Sequence, residues 1–281
     1  MRVRALGLIG AEIEGVDLRE VDDVLFARIH AAWLDHAVLR FRGQDLDDAA
    51  LQGFSQRFGP LECAPMGLLP EAVRARIPNP NVATISNIVV DGRPIGGLAA
   101  AEAAWHTDMS YIEQPPTASV LHAIEVPASG GDTYYCSMYH ALDALPDALR
   151  SRVRTRSLKH DAAHDSIGKL RPGFDHAPSP VEAPGCVHPI VKTHPETGRE
   201  VLFLGRRQDA YFPGIALEES EALLDEVWRY VALPEHCWTQ QWRVGDLVIW
   251  DNRCVMHRRG AFDPASRRLM RRTQIRPRAG A

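Results

Sequence analysis

Cysteine is scarce in this chain, and its placement is poor for cross-linking. Cys63, Cys136, Cys186, Cys237 and Cys254 are odd in number, widely scattered and form no Cys-x-x-Cys pair, which argues against a disulfide framework and against a structural zinc knot. No run of 18 or more apolar residues occurs, so no membrane span and no membrane partner are expected. The opening MRVRALGLIGAEIEG has too short an apolar stretch, with an acid soon after it, for a secretory signal, and a cytoplasmic location is the expectation. An excess of either charge is also missing. With 32 Lys and Arg against 36 Asp and Glu, the net charge of −4 gives no global electrostatic case for nucleic acid, although the last stretch is locally basic. Internal repeats and low-complexity tracts are absent. So is a Gly-rich phosphate turn in a regular β-α alternation, which removes the doubly wound sheet.

What is present is enough apolar material for a sizeable core: 281 residues, 45% hydrophobic and 24% charged, for which length alone allows one large domain or two small ones. VDDVLFARIHAAWLDH opens with acids and spaces Val24, Leu25, Ile29 and Trp33 as one helical face, and AVLRF follows as a buried strand. DLDDAALQGFSQRFGP repeats the helical signal and ends at Gly59-Pro60. From about 61 to 104 the chain is rich in Pro, Gly and Ala without clear periodicity, and it reads as a long loop of the kind that serves as an active-site lid. TASVLHAIEVPASGGDTYYCS then gives strand, Gly-Gly turn, strand, with a short helix around MYHALDALPDALR. LEESEALLDEVWRYVAL carries Leu223, Leu224, Val227 and Val231 on one helical stripe, and Leu247 to Trp250 form an apolar run suited to a strand buried on both faces. The fold class expected is mainly β with flanking helices.

The chemistry starts at AAWHTDMSYIEQPP, residues 103 to 116. One residue separates His106 from Asp108, and residues two apart on a strand share a face, so the imidazole and carboxylate can converge. His257, which follows the buried strand LVIWDN, is the best candidate for a second imidazole. Two imidazoles and a carboxylate on one side of an iron leave the other side open, as non-haem Fe(II) oxygenases require. Of the other histidines, 30, 36, 122, 160, 164, 176, 188 and 194 are read as structural or as part of polar stretches, and are left out of the metal set.

WHTD at 105 to 108, GGDT at 130 to 133, WDNRCVMH at 250 to 257 and RRLMRRTQI at 267 to 275 together resemble the Fe(II)/2-oxoglutarate-dependent dioxygenases of the TauD/TfdA family, typified by taurine dioxygenase and 2,4-dichlorophenoxyacetate dioxygenase. AVLRFRGQ and RFGPLE are similar too, so the resemblance covers nearly the whole chain as a single domain over 1 to 281. It implies a double-stranded β-helix, or jelly roll. It also implies that His106, Asp108 and His257 are the catalytic iron ligands, and that Thr133 and Arg268 hold the distal carboxylate of 2-oxoglutarate. Arg272 would meet the substrate anion, the inner cosubstrate carboxylate, or both, with Met109 and Asn87 at the substrate pocket. On a strand, Arg268 and Arg272 point to one side and Arg267 and Arg271 to the other.

The cofactors implied are Fe(II), 2-oxoglutarate and O2, and the reaction is hydroxylation coupled to oxidative decarboxylation of 2-oxoglutarate to succinate and CO2. Retention of Asp108 favours hydroxylation over halogenation, which needs a small residue there. No residue before Trp105 matches a taurine-recognising histidine, so the expected substrate is a small anion, an aryloxyalkanoate-like carboxylate or a sulfonate. The alternatives are a natural-product hydroxylase acting on an amino acid or carrier-bound intermediate, and a jelly-roll binding protein without turnover. A homo-oligomer, dimer or tetramer, is the expected assembly.

Overall fold

The computed structural model of the protein describes residues 1–63, 79–98 and 103–278. Its strands are β1 Arg2–Ala5, β2 Ala11–Glu14, β3 Val38–Phe41, β4 Ala83–Ser86, β5 Val89–Val90, β6 Arg93–Pro94, β7 Gly97–Leu98, β8 Ala118–Glu125, β9 Thr133–Ser137, β10 Ser157–Asp161, β11 Gly185–Pro189, β12 Val191–Thr193, β13 Glu200–Leu202, β14 Cys237–Gln240, β15 Leu247–Asp251, β16 Val255–Arg259 and β17 Leu269–Ile275. Eight of them form one mixed sheet in the order β1-β2-β3-β15-β8-β17-β4-β7, and three form a smaller sheet, β14-β9-β16. The mainly-β expectation holds.

Alternation along the central strands builds two cores. Leu247 and Ile249 of β15, with Ala118 and Val120 of β8, pack against Ile29, Trp33, Leu51 and Phe54 of the helices Asp23–His36 and Asp48–Gln56. Val248, Trp250, Leu121 and Ala123, the alternate residues, join Tyr135, Cys136, Val255 and Met256 of the small sheet. The helix Leu217–Trp228 closes the outside of that second core through Leu223, Leu224 and Val227. The site therefore lies between two sheets whose positions are fixed by packing on both sides.

Both N-terminal helices start where an aspartate can cap them: Asp22 accepts from Leu25 N at 2.7 Å, and Asp47 from Ala50 N at 2.7 Å. Val24, expected on the inner face of the first helix, is 73% exposed, because the buried stripe runs through Ile29, Ala32 and Trp33. The single helix expected around residues 138–150 is two, Met138–Ala144 and Asp147–Val153. Pro146, which has no N–H to continue the first ladder, separates them.

The long loop expected at 61 to 104 needs correction where it is described; residues 64–78 and 99–102 of it lie outside the described residues. Within 83–98, β4 pairs with β17, β7 runs parallel to β4, and β5 and β6 form a hairpin. Asp91 (φ 49°) and Gly92 (φ 72°) turn that hairpin, with the left-handed pair of a type I′ turn. Asp-Gly flanked by Val-Val and Arg-Pro was the overlooked signal. Among the described residues, no helix is long and apolar enough to cross a membrane.

Ile249 is fully buried at the centre of the helix-facing core. Ile249→Ala is expected to lower unfolding free energy by about 2–5 kcal/mol, read as a lower denaturant midpoint with an unchanged slope.

Candidate metal centre

His106 and His257 are joined through their backbones. Each donates its N–H to the other's carbonyl, at 3.0 and 2.9 Å, in an isolated antiparallel bridge that sets the imidazole centroids 4.2 Å apart. Strand geometry at His106 is only this one bridge long. Thr107 then pins the chain by donating to Leu204 O at 2.6 Å, and a turn begins at Asp108 with Met109 at φ 48°. The three residues nevertheless converge. Asp108 Oδ1 is 3.7 Å from His106 Nε2 and 4.0 Å from His257 Nε2, and all three residues are buried.

The donor set suits a divalent iron. His106 Nδ1 lies 2.8 Å from Ala104 O, so it carries the proton and leaves the Nε2 lone pair facing the cluster, as in histidines whose other nitrogen binds a metal. Burial, aided by the neighbouring His106, pushes His257 down to about 3, so its imidazole is neutral and able to ligate. Burial alone would raise the Asp108 carboxyl. The His257 imidazole, the Arg272 guanidinium at 3.7 Å and the His106 contact outweigh that and hold it well below the usual carboxylate range.

Two further residues hold Asp108. Its N–H donates to Asn252 Oδ1 at 2.8 Å, and Asn252 Nδ2 donates back to Asp108 O at 2.9 Å and to Pro116 O at 2.9 Å. Ser119 Oγ donates to Asp108 Oδ2 at 2.7 Å. Asn252 follows Asp251, a buried carboxylate paired with His194 at 3.0 Å and Arg253 at 2.6 Å. Trp250, expected as packing, sets its ring 4.7 Å from the His257 imidazole.

Beside the cluster is a cavity lined by His106, His257, Thr133, Arg268 and Arg272, with Ile85, Leu121 and Trp250 as apolar walls. Thr133 Oγ1 accepts from Trp242 Nε1 at 3.0 Å, which leaves its own O–H to donate into the cavity. Arg268 is 2% exposed. The Nε–H groups of Arg268 and Arg272 are buried and have no hydrogen-bond partner among the described residues. Burial, with the Arg259 charge, pushes Arg268 down to about 9, the signature of a cation held where an anion would relieve it. Arg267 and Arg271 face outward and pair with Glu125 at 2.7 Å and Asp48 at 3.4 Å.

Two expected substrate residues stand elsewhere. Asn87 spends its amide on the loop before β17, donating to Ser266 O at 2.8 Å and Pro264 O at 3.2 Å and accepting from Arg268 N at 3.0 Å. Met109 is half-buried, and neither it nor Asn87 lines the cavity. A roomier cleft on the outer side of the same segment, over Trp105, Arg206 and Trp228, contains none of the three donor residues. Ser119, Trp242 and Arg259 were not anticipated. Only Ser119 left a trace in the sequence, a lone hydroxyl inside the apolar strand ASVL.

The family described as "Taurine catabolism dioxygenase TauD, TfdA family" matches residues 2–274. The chain belongs to the TauD/TfdA family. Among TauD/TfdA relatives, (S)-phenoxypropionate/alpha-ketoglutarate-dioxygenase of Delftia acidovorans is 34% identical over 93% of this chain and 90% of that protein. Alpha-ketoglutarate-dependent 2,4-dichlorophenoxyacetate dioxygenase of Cupriavidus pinatubonensis is 35% identical over 94% and 93%. Among solved structures, a taurine dioxygenase from Burkholderia xenovorans superposes with a TM-score of 0.77 at 31% identity, covering 99% of this chain and 89% of that one. A structure titled AAD-2 in complex with Mn(II) and N-oxalylglycine gives 0.79 at 26% identity, with coverage of 99% and 97%.

The buried imidazoles predict how the metal-free protein responds to acid. His160, on β10, is fully buried against Phe203 and His188, and burial pushes it well below its usual 6.5, as it does His257. Both stay neutral when folded and take up a proton on unfolding, so their contribution is present above pH 6.5 and is lost as pH falls towards the folded values. Each adds about 1.4 kcal/mol per pH unit to the slope inside that window. His160→Phe should flatten the fall in unfolding free energy between pH 6 and 4.5 by about that amount; an unchanged slope in urea melts would contradict it. Asn252→Ala strands the buried Asp108 N–H, and is expected to cost about 1–3 kcal/mol while weakening Mn(II) binding in equilibrium dialysis.

Proposed function

We propose that the chain is an Fe(II)- and 2-oxoglutarate-dependent dioxygenase that hydroxylates a small organic anion of the phenoxyalkanoate type. The observation that carries the reading is a buried N,N,O donor set, His106, Asp108 and His257, whose two imidazoles line the same cavity as two guanidinium N–H groups that have no hydrogen-bond partner among the described residues. Iron at that set would supply dioxygen activation coupled to conversion of 2-oxoglutarate to succinate and CO2. Everything else is positioning by the chain.

Arg268 suits the distal carboxylate, because a guanidinium stays charged when buried and meets a carboxylate with two parallel N–H groups. Thr133 adds the hydroxyl that Trp242 leaves free to donate. Arg272, 3.7 Å from Asp108, takes the inner carboxylate or the substrate anion. Ile85, Leu121 and Trp250 keep water from this end. Hydroxylation at a carbon bearing an ether oxygen gives a hemiacetal or hemiketal that collapses to a phenol and a carbonyl acid, so ether cleavage is the expected outcome. The phenoxypropionate and dichlorophenoxyacetate enzymes, at 34% and 35% identity over nearly full length, support this substrate class.

The wider reading includes one dioxygenase domain over 1–281, a double-stranded β-helix formed by the eight- and three-stranded sheets, and a substrate lid drawn from 61–104. Five free thiols suit a cytoplasmic, reducing location, and the assembly proposed is a dimer or tetramer.

The test is succinate formation by anaerobically iron-loaded protein after oxygen is admitted, across phenoxyacetate, both 2-phenoxypropionate enantiomers, alkyl sulfates and taurine. Phenoxyalkanoates should stimulate succinate with phenol released in equal amount, and Arg268→Ala should raise the 2-oxoglutarate KM roughly 10- to 100-fold, the loss of one charge-assisted contact. Absence of succinate with every anion would overturn the assignment.

A further inference from the structure

We propose that Ser119 is a positioning residue that makes Asp108 present one oxygen, not two, to the metal. The inference rests on the metal centre proposed above, and it starts from the inequivalence of the two carboxylate oxygens. Oδ1 faces His106 Nε2 at 3.7 Å, His257 Nε2 at 4.0 Å and Arg272 Nη1 at 3.7 Å. Oδ2 is held 2.7 Å from Ser119 Oγ, the separation of a charge-assisted O–H···O bond.

The anchor is rigid. Ser119 is fully buried in β8, at the middle of the eight-stranded sheet, opposite Trp250 of β15 on one side and Gln274 of β17 on the other. Its hydroxyl shares the inner face with Leu121, two residues on in the strand. A carboxylate is free by itself to swing about its last torsion, which has broad wells. Asn252 fixes the Asp108 backbone but does not touch the carboxylate oxygens, and the neighbours of Oδ1 stand at 3.7 to 4.0 Å, so the 2.7 Å hydroxyl contact is the short one that sets the torsion.

The consequence is a matter of counting positions. Two imidazoles and one oxygen leave about three of six sites open, enough for a bidentate 2-oxo acid and dioxygen. A second oxygen from Asp108 would take one of them. A hydroxyl that never touches the metal thus decides whether room for dioxygen remains.

Mn(II), which cannot turn over, separates this from the function itself. Exchangeable waters on protein-bound Mn(II) are counted by water-proton relaxation in wild type, Ser119→Ala and Ser119→Thr. Wild type and Ser119→Thr, which keeps the hydroxyl, should show about three waters, and Ser119→Ala one fewer, with Mn(II) still bound at one per chain. In turnover, Ser119→Ala should raise the KM for oxygen at least tenfold while the 2-oxoglutarate KM moves less than threefold. Equal water counts in wild type and Ser119→Ala would overturn the inference and leave the metal centre standing. Failure of wild type to bind Mn(II) at one per chain would remove both. Should Ser119→Ala not fold, Ser119→Cys, close in size and a weaker donor, takes its place with the same expected loss of a water.

Discussion

Two hydrogen bonds between the backbones of His106 and His257 hold the site together. They join segments from opposite ends of the chain, and they do so through main-chain atoms, whose positions the sheets determine more tightly than any side chain could. β16 carries His257 into the small sheet, where Tyr135 of β9 is its register partner. β15, one turn earlier, lies in the large sheet. The turn at Asp251 and Asn252 therefore crosses from one sheet to the other, and its side chains do two jobs at once. Asp251 closes the turn with Arg253 and His194, and Asn252 grips Asp108 by both main-chain groups. The metal-binding geometry is a property of how two sheets meet.

Charge imposes the second constraint. Arg268 and Arg272 line the cavity with Asp108 beside it, 3.7 Å from Arg272, and Arg259 also lines it and has interactions of its own. Buried charges persist only when paired. With a divalent metal added, Arg268, Arg272 and Asp108 leave an excess of three positive charges; a 2-oxoglutarate dianion removes two, and a single anionic substrate removes the last. That balance favours a singly charged anionic substrate independently of the relatives.

Much of this was legible in the sequence because strands have a period of two. The assignment of Arg268 and Arg272 to one side with Arg267 and Arg271 to the other follows from that period, and the two-faced burial of Leu247 to Trp250 from an unbroken apolar run, whereas His106 and Asp108 converge across the start of a turn. Contacts between strands far apart in the chain left no such pattern. Trp242 reaches Thr133 across 109 positions, and nothing near either residue announces it. Asn87 was expected at the pocket as part of a lid-like stretch with the apolar Ile88-Val89-Val90, whereas Val89 and Val90 form a hairpin with β6 and are more than half exposed. The helix around Val24 misled for another reason: at a helix start, an apolar residue one position off the stripe faces water.

Ser119 sits on β8 in the middle of the large sheet, Asn252 in the turn between β15 and β16, and His257 on β16, the edge strand of the small sheet, which His106 bridges on its free side. The segment β4–β7 that precedes the WHTD motif sits at the sheet edge, with strands two to four residues long and exposed valines. Stability in a sheet decreases toward such an edge, because an edge strand has one neighbour and little buried area. The candidate donors are by contrast tied to strands β8, β15 and β16, which contribute side chains to the packed cores, so a displacement there would disturb packing as well as the site.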